Sequence, residues 1–197
     1  MNFLAHLLLG PSEPQLALGS LLGDFVKGPL ASTELPGQVR QGIWLHRQID
    51  GFTDRHALVE RSRERVSPLR RRYAGIMVDM FYDHLLAKNW SRFSEQPLDM
   101  FTARMYRALR AQQALMPERA RPVLMRMAQE DWLGSYSELA SMHLALNNMA
   151  RRLRPGNALA GSACELERDY EGFEADFLAF MPQVIEFAQD SSLSMPS

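Results

Sequence analysis

The chain has 197 residues, of which 46% are hydrophobic and 23% charged, so it is long enough to bury one sizeable core and is expected to form one domain. Its formal net charge of −1 excludes a nucleic-acid binder held by overall positive charge. A single cysteine, Cys164, excludes an intramolecular disulfide framework and a zinc site of several cysteines, and it indicates the cytosol as the compartment.

Apolar residues recur with helical spacing along almost the whole chain, and no segment has the pattern of a strand. The first apolar stretch ends at Gly10-Pro11 and has no basic leader, so we expect neither a signal peptide nor a membrane span. Glycine and proline residues divide the pattern into predicted helices at about 2–9, 15–26, 36–51, 67–90, 98–115, 117–129 and 131–153, with a last helix from about 163. Pro182 should kink or end that helix, and residues 191–197 are expected to be a disordered tail. The prediction is an all-α, single-domain helical bundle over residues 1–190.

Several ionisable side chains lie on the apolar faces of these helices, where a charge without a partner is costly to bury. His46 and Asp50 continue the stripe of Val39 and Ile43 and lie one turn apart. His6 and Asp24 interrupt the apolar sequences of the first two helices. The helix at 67–90 has an apolar stripe of Leu69, Tyr73, Ile76, Met80 and Ala87, and on or beside it lie Asp79, Asp83 and His84.

A divalent metal ion would explain these residues together, because imidazole and carboxylate are its natural protein ligands and the cation offsets the cost of burying several anions. Oxygen and nitrogen ligands favour manganese, magnesium or iron over a structural zinc. The alternative is that each residue is a buried His or Asp satisfied by a local hydrogen bond or salt bridge. Four helices each contribute such a residue, and a bundle core is where helices converge on metal sites, so we favour the metal.

Four sequence blocks resemble the bacterial acyl carrier protein phosphodiesterases, an all-helical family that looks like an atypical branch of the HD-type metal-dependent phosphohydrolases. The blocks are Asn2-Phe3-Leu4-Ala5-His6-Leu7, Gly23-Asp24-Phe25-Val26, His46-Arg47-Gln48-Ile49-Asp50 followed by Thr53-Asp54, and Asp79-Met80-Phe81-Tyr82-Asp83-His84. The resemblance implies hydrolysis of the phosphodiester that joins 4′-phosphopantetheine to a serine of holo-acyl carrier protein, with Mn²⁺ as the favoured metal and Mg²⁺ or Fe²⁺ as alternatives.

The resemblance also implies roles for single residues. The adjacent pair runs Asp83-His84, the reverse of the order usual in the HD superfamily, so the residues are taken from the narrower family's blocks. Asp24 is expected to orient or deprotonate the attacking water, His6 or His84 to protonate the leaving oxygen, and Arg47 to stabilise phosphate charge unless it is an ordinary surface arginine. The predicted metal ligands are Asp24, His46, Asp50, Asp83 and His84, with Asp79 and Asp54 supporting them from outside.

The basic residues are concentrated in one part of the chain. Residues 40–126 hold 16 Arg and one Lys against nine acidic residues, and residues 127–197 hold four Arg against eleven. Carrier proteins are small and acidic, so the resemblance implies that this arginine-rich region binds them. The alternative is a solvated face paired with the acidic C-terminal half, through Glu165, Glu167, Glu171 and Glu174. The predicted partner-binding residues are Arg61, Arg63, Arg65, Arg70, Arg71, Arg72, Arg104, Arg107 and Arg110.

Two other functions stay open at this point. A generic HD-like phosphohydrolase acting on a nucleotide or another small phosphate ester would share the metal but would not need the arginine face. A non-catalytic helical binding protein would use the buried His and Asp residues only for structure. Neither nucleic acid nor a membrane is expected as a partner.

Overall fold

The computed structural model describes residues 1–195, and within them every regular element is a helix. The all-α, single-domain prediction is confirmed. Four short 3₁₀ turns join some of the helices, among them Arg71–Tyr73. The α-helices are α1 (Phe3–Leu9), α2 (Pro14–Leu22), α3 (Gly37–Asp54), α4 (Ala57–Arg65), α5 (Ala74–Lys88), α6 (Leu98–Ala111), α7 (Arg121–Gln129), α8 (Trp132–Ser135), α9 (Leu139–Ala150), α10 (Cys164–Arg168) and α11 (Tyr170–Leu193).

The helix boundaries differ from the predicted ones in several places. Helix α4 was not predicted, because its sequence is rich in arginine and glutamate and buries only Val59 and Ser62. The helix predicted at 131–153 is two helices, α8 and α9, because the chain turns after Ser135. Strongly charged short helices give little apolar periodicity, so the sequence pattern misses them.

The stripe predicted for residues 67–90 is correct only in its second half. Met80 and Ala87 are buried, as predicted, but Leu69 and Ile76 are 78% and 40% exposed, and Met77 and Phe81 are buried outside the stripe. Helix α5 begins only at Ala74 and is apolar on nearly every side, so the pattern alone does not define which face meets the core.

The last helix, predicted from about residue 163, is two helices, α10 and α11, and α11 extends beyond the predicted end near Pro182. It passes through Pro182 without ending and continues to Leu193, so residues 191–193 are helical and not part of a disordered tail, while 196 and 197 lie outside the described residues. Proline removes one helical hydrogen bond, and burial of Phe180, Met181 and Val184 around it offsets that loss. Among residues 1–195, no helix combines the length and apolar character needed to cross a bilayer.

Helices α2 and α3 make the closest contact in the fold, through two glycines. A Cβ atom on Gly19 would lie 2.7 Å from Cα of Gly42, and a Cβ atom on Gly42 would lie 2.8 Å from Cα of Gly19. The two backbones therefore touch, which only glycine allows. This crossing brings the end of α2 against the middle of α3, where His46 and Asp50 lie.

Candidate active site

His6, His46 and Asp50 form one cluster, built from α1 and α3. Nε2 of His6 lies 3.0 Å from Oδ1 of Asp50, and Nε2 of His46 lies 3.0 Å from Oδ2 of the same carboxylate. The two imidazole rings stack with centroids 3.8 Å apart and an angle of 17° between their planes. Both rings are buried, while 36% of the Asp50 side chain is exposed. The cluster therefore opens to solvent on the carboxylate side.

A backbone carbonyl fixes the orientation of His46. Nδ1 of the ring donates to the carbonyl oxygen of Ser20 at 2.7 Å. This bond directs Nε2 of His46 at the carboxylates of Asp50, 3.0 Å away, and Asp24, 3.8 Å away. A cation bound among these groups would be held by nitrogen and oxygen atoms. The same pattern, with one ring nitrogen held by a carbonyl and the other directed at the metal, orients histidine ligands in proteins.

Gly23 makes room for that ring. A Cβ atom on Gly23 would lie 2.6 Å from Nε2 of His46 and closer still to Cγ and Cδ2. The imidazole thus lies directly against the backbone where α2 ends. Asp24, the next residue, has its Oδ1 atom 3.8 Å from Nε2 of His46 and its side chain 52% exposed. It lies at the edge of the cluster, beyond hydrogen-bond distance.

The α-ammonium group of Met1 connects the cluster to α5. It lies 3.0 Å from Oδ1 of Asp79 and 3.5 Å from Oδ1 of Asp50. Burial lowers the pKa of this ammonium, but the carboxylates of Asp79 and Asp50 outweigh burial and raise the pKa to about 10. Asp79 therefore reaches the cluster through the ammonium and not by direct contact with the imidazoles.

Burial and charge keep His6 neutral. Burial, and then the neighbouring His46 ring, lower the pKa of His6 to about 3. Burial would raise the pKa of Asp50, but the hydrogen bonds with His46 and His6 hold it below its ordinary value. Nδ1 of His6 is buried and has no hydrogen-bond partner within residues 1–195. A neutral imidazole and an ionised carboxylate are the forms that bind a metal ion.

Asp83 lies elsewhere, contrary to the prediction that it is a metal ligand. Both of its oxygens accept backbone N–H groups of α1, from Leu4 at 2.8 Å and from Ala5 at 3.1 Å. Asn2, which precedes α1, makes no side-chain cap, so Asp83 of α5 caps that helix from a distance of 79 residues in the sequence. Burial raises the pKa of Asp83 to about 7. Its carboxylate holds the helix that carries His6.

His84 is also outside the cluster. Its Nδ1 atom donates to the carbonyl oxygen of Tyr136 at 2.8 Å, and its Nε2 atom lies 3.3 Å from the hydroxyl of Tyr170. The ring of Tyr170 meets the imidazole edge to face. Both ring nitrogens are therefore occupied, one by the residue that follows α8 and the other by a residue of α11. Burial lowers the pKa of His84.

Arg47 and Asp54 do not enter the cluster either. The guanidinium of Arg47 donates to the carbonyl oxygens of Val26 at 2.8 Å and Gly28 at 2.9 Å. It thus fastens the loop that follows Asp24. Asp54 is an exposed residue at the end of α3, and its carboxylate accepts from Arg63 at 2.5 Å.

Most of the predicted partner-binding arginines are occupied inside the chain. Arg61 and Arg65 pair with the fully buried carboxylate of Asp176 in α11. Arg70 pairs with Glu165 at 3.8 Å, and Arg71 donates to two backbone carbonyls. In α6 the guanidinium of Arg104 lies over the ring of Phe101, Arg110 donates to the carbonyl of Ala128, and Arg107 is exposed. The intramolecular alternative therefore holds in part: Arg61, Arg65 and Arg70 pair with the acidic C-terminal half, but of the four glutamates named for it only Glu165 takes part. Among Arg61, Arg63, Arg65, Arg70, Arg71 and Arg72, only Arg72 is exposed without a partner within residues 1–195.

Three groups at the site were not predicted from the sequence. They are the Ser20 carbonyl, Gly23 and the Met1 ammonium. A backbone carbonyl and a terminal amine leave no trace in a residue pattern. Gly19 in α2 and Gly23 directly after it are four residues apart, and they are the one signal in the sequence that indicates a close approach of another element on that face.

Residues 1–184 match the family described as acyl carrier protein phosphodiesterase. The chain belongs to this family. Proteins with that name from Klebsiella pneumoniae and Yersinia pestis are each 34% identical to this chain, and one from Serratia proteamaculans is 36% identical. Each comparison covers 98% of this chain and all of the relative. The chain is therefore an enzyme of the phosphodiester hydrolase class.

No solved structure is significantly similar to the chain. The relationship to HD-type phosphohydrolases accordingly stays a prediction. Membership of the acyl carrier protein phosphodiesterase family argues against the non-catalytic binding protein considered from the sequence.

Proposed function

We propose that this enzyme hydrolyses the phosphodiester between 4′-phosphopantetheine and the serine of holo-acyl carrier protein, releasing apo-acyl carrier protein and 4′-phosphopantetheine in a metal-dependent reaction. The observation that carries the proposal is the cluster of His6, His46 and Asp50 in a member of this family. One ligand atom from each of the three residues lies within 4.8 Å of the others.

The residues present fit a divalent ion. His6 and His46 offer nitrogen, and Asp50 and the adjacent Asp24 offer oxygen, a set that suits Mn²⁺ first and Mg²⁺ or Fe²⁺ as alternatives. Nε2 of His6 and Nε2 of His46 each lie 3.0 Å from an oxygen of Asp50, so two nitrogen and two oxygen atoms are gathered at one partly exposed carboxylate. When bound, such an ion would neutralise charge on the phosphoryl group and lower the pKa of a water molecule.

The chain's own residues have separate tasks in this proposal. Asp24, half-exposed at the edge of the cluster, orients the attacking water and accepts its proton. Arg47 acts as a positioning residue, because it holds the loop after Asp24 by two carbonyl oxygens. Burial raises the pKa of Asp24, which suits a proton acceptor, and the charge of nearby Lys27 opposes this rise only in part. Lys27 brings positive charge to the same edge for the leaving serine oxygen.

The test is a mass measurement on the intact carrier protein. The purified enzyme is incubated with Mn²⁺ and holo-acyl carrier protein, and we expect the carrier to lose one phosphopantetheine group. Asp50→Asn should reduce this conversion to the level of a sample without enzyme, whereas Asp190→Asn, at an exposed position of α11, should convert like the wild type. Turnover of a nucleotide or another small phosphate ester with no loss from the carrier would overturn the proposal.

A further inference from the structure

The bond proposed to be cleaved lies at the surface of the carrier protein, and this limits where the carrier can bind. The phosphate is attached directly to a serine oxygen, so the reacting phosphorus is only a few covalent bonds from the carrier's backbone. Residues that contact the carrier must therefore border the cluster of His6, His46 and Asp50. This inference rests on the proposed function.

The N-terminal part of α5 forms one border of the cluster. Asp79 contacts the Met1 ammonium, which in turn lies 3.5 Å from Asp50. Residues three or four positions apart share a helix face, and helical side chains lean towards the N-terminus, so Asp79 lies over Ile76. The helical rise places Ile76 ~5 Å from Asp79 along the axis. Arg72 lies in the 3₁₀ turn Arg71–Tyr73, which leads directly into α5 at Ala74.

Apolar exposure and unpaired positive charge coincide on this border. Ile76 is 40% exposed, and Leu69, in the turn that leads to Arg72, is 78% exposed. Arg72 is the one member of its arginine cluster that has no partner within residues 1–195. Asp79 does not make the border acidic, because the Met1 ammonium lies against it. Large exposed apolar side chains beside a site mark an interaction surface more often than isolated ones do.

We propose that Leu69, Arg72 and Ile76, here called the α5 rim, are the docking surface for the acyl carrier protein. The carrier is acidic, and the guanidinium of Arg72 can pair with a carboxylate that neighbours the modified serine. Ile76 and Leu69 supply the apolar area of a small, transient interface. Arg61, Arg63, Arg65, Arg70 and Arg71, which share the same part of the sequence, act within the fold instead.

Steady-state kinetics on two substrates test the α5 rim. Wild type, Arg72→Glu and Ile76→Ala are compared on holo-acyl carrier protein and on bis(4-nitrophenyl) phosphate, a small diester without a carrier. For Arg72→Glu we expect the KM for the carrier to rise about tenfold at low salt with kcat retained, because a charge at an interface rim acts mainly on association. The ratio of kcat/KM on the carrier to kcat/KM on the small diester should fall by the same factor. Added salt should raise the wild-type KM and have less effect on the variant.

Two further variants make the outcome decisive. Arg119→Glu, at an exposed position between α6 and α7, is the matched control and should match the wild type. Arg107→Glu tests the exposed arginine of α6 as a rival. An unchanged KM for both rim variants, or a larger effect for Arg107→Glu than for Arg72→Glu, would overturn the docking surface. Failure of the wild type to convert the carrier would instead refute the proposed function.

Discussion

A single added methyl group at Gly23 should disable the cluster without replacing any of its own residues, because it displaces His46. In Gly23→Ala the new Cβ atom would lie 2.6 Å from Nε2 of His46, whereas ordinary van der Waals contact begins at 3.4 Å. The neighbour is a ring held by two partners, the Ser20 carbonyl at 2.7 Å and Asp50 at 3.0 Å. The imidazole must therefore move by roughly 0.8 Å or more, the difference between those contact distances.

Such a movement has a large effect on catalysis and a moderate one on stability. A hydrogen bond of 3.0 Å that lengthens by this amount passes the limit of about 3.2 Å, so His46 would lose its contact with Asp50. A displacement of ~1 Å at a reacting centre can lower the rate ~100-fold. Overpacking of a buried side chain costs ~1–3 kcal/mol of unfolding free energy.

The assay combines the conversion of holo- to apo-acyl carrier protein with urea unfolding. We expect kcat/KM to fall ~100-fold while the protein still unfolds cooperatively. Gly37→Ala is the matched control, because a Cβ atom at that exposed first position of α3 would meet nothing within 4 Å. It should retain full turnover and unfold at slightly higher urea. Full activity in Gly23→Ala would refute the reasoning, since the close approach of backbone and imidazole would then have no consequence.

Three other predictions concern stability, pH and the metal. Asp83→Ala removes both acceptors from the start of α1 and leaves two buried N–H groups unpaired, so urea unfolding should show a loss of ~3–5 kcal/mol; a loss under ~1 kcal/mol would contradict the capping role. The pKa of His6 falls from 6.5 to about 3 on folding, so below pH 6.5 the metal-free folded protein binds fewer protons than its unfolded chain. Its free energy of unfolding should therefore decline as the pH falls below 6.5, by ~2 kcal/mol at pH 5. His6→Gln should show a flatter pH profile, and an equally steep one would exclude His6 as the cause. Chelation should abolish turnover of the carrier and added Mn²⁺ should restore it, whereas Asp50→Asn should weaken Mn²⁺ binding measured by electron paramagnetic resonance; full activity in chelator would contradict metal dependence.

The pairing of His46 with Asp50 could be predicted because both residues lie in one helix. A separation of four residues fixes them on one face whatever the rest of the chain does. The inward position of His6 likewise follows from the apolar residues around it, and the resemblance in the N-terminal blocks agrees with the family shown by the comparisons.

Asp83 and His84 show that helical periodicity does not predict the contact partner of a buried side chain. Their burial was predicted correctly, but a residue pattern says only that a side chain points inward, not what it meets there. Asp83 meets the start of α1 and His84 meets Tyr136 and Tyr170, all distant in the sequence. Both were expected at the metal because buried carboxylate and imidazole groups need a partner, and the partners turned out to be backbone and hydroxyl groups.

In the arginine-rich region, too, the sequence predicted the residue types but not their partners. Its composition predicted a basic surface, yet the buried carboxylate of Asp176 in α11 binds Arg61 and Arg65, a pairing across more than 100 residues. The sequence pattern also could not predict which side of α5 faces the core, because a helix that is apolar on nearly all sides has no single face to bury.

The sequence by itself therefore determined the helical class, the burial of His6, His46, Asp83 and His84, and the His46–Asp50 pair, because these depend on spacing within one helix. The tertiary structure alone decided which of those residues meet. The crossing of α2 and α3 at Gly19 and Gly42 sets His46 beside Asp24. The packing of α5 against α1 directs Asp83 at the backbone of α1 and leaves Arg72 and Ile76 exposed near the site. Such contacts depend on the relative placement of whole helices, which local periodicity does not specify.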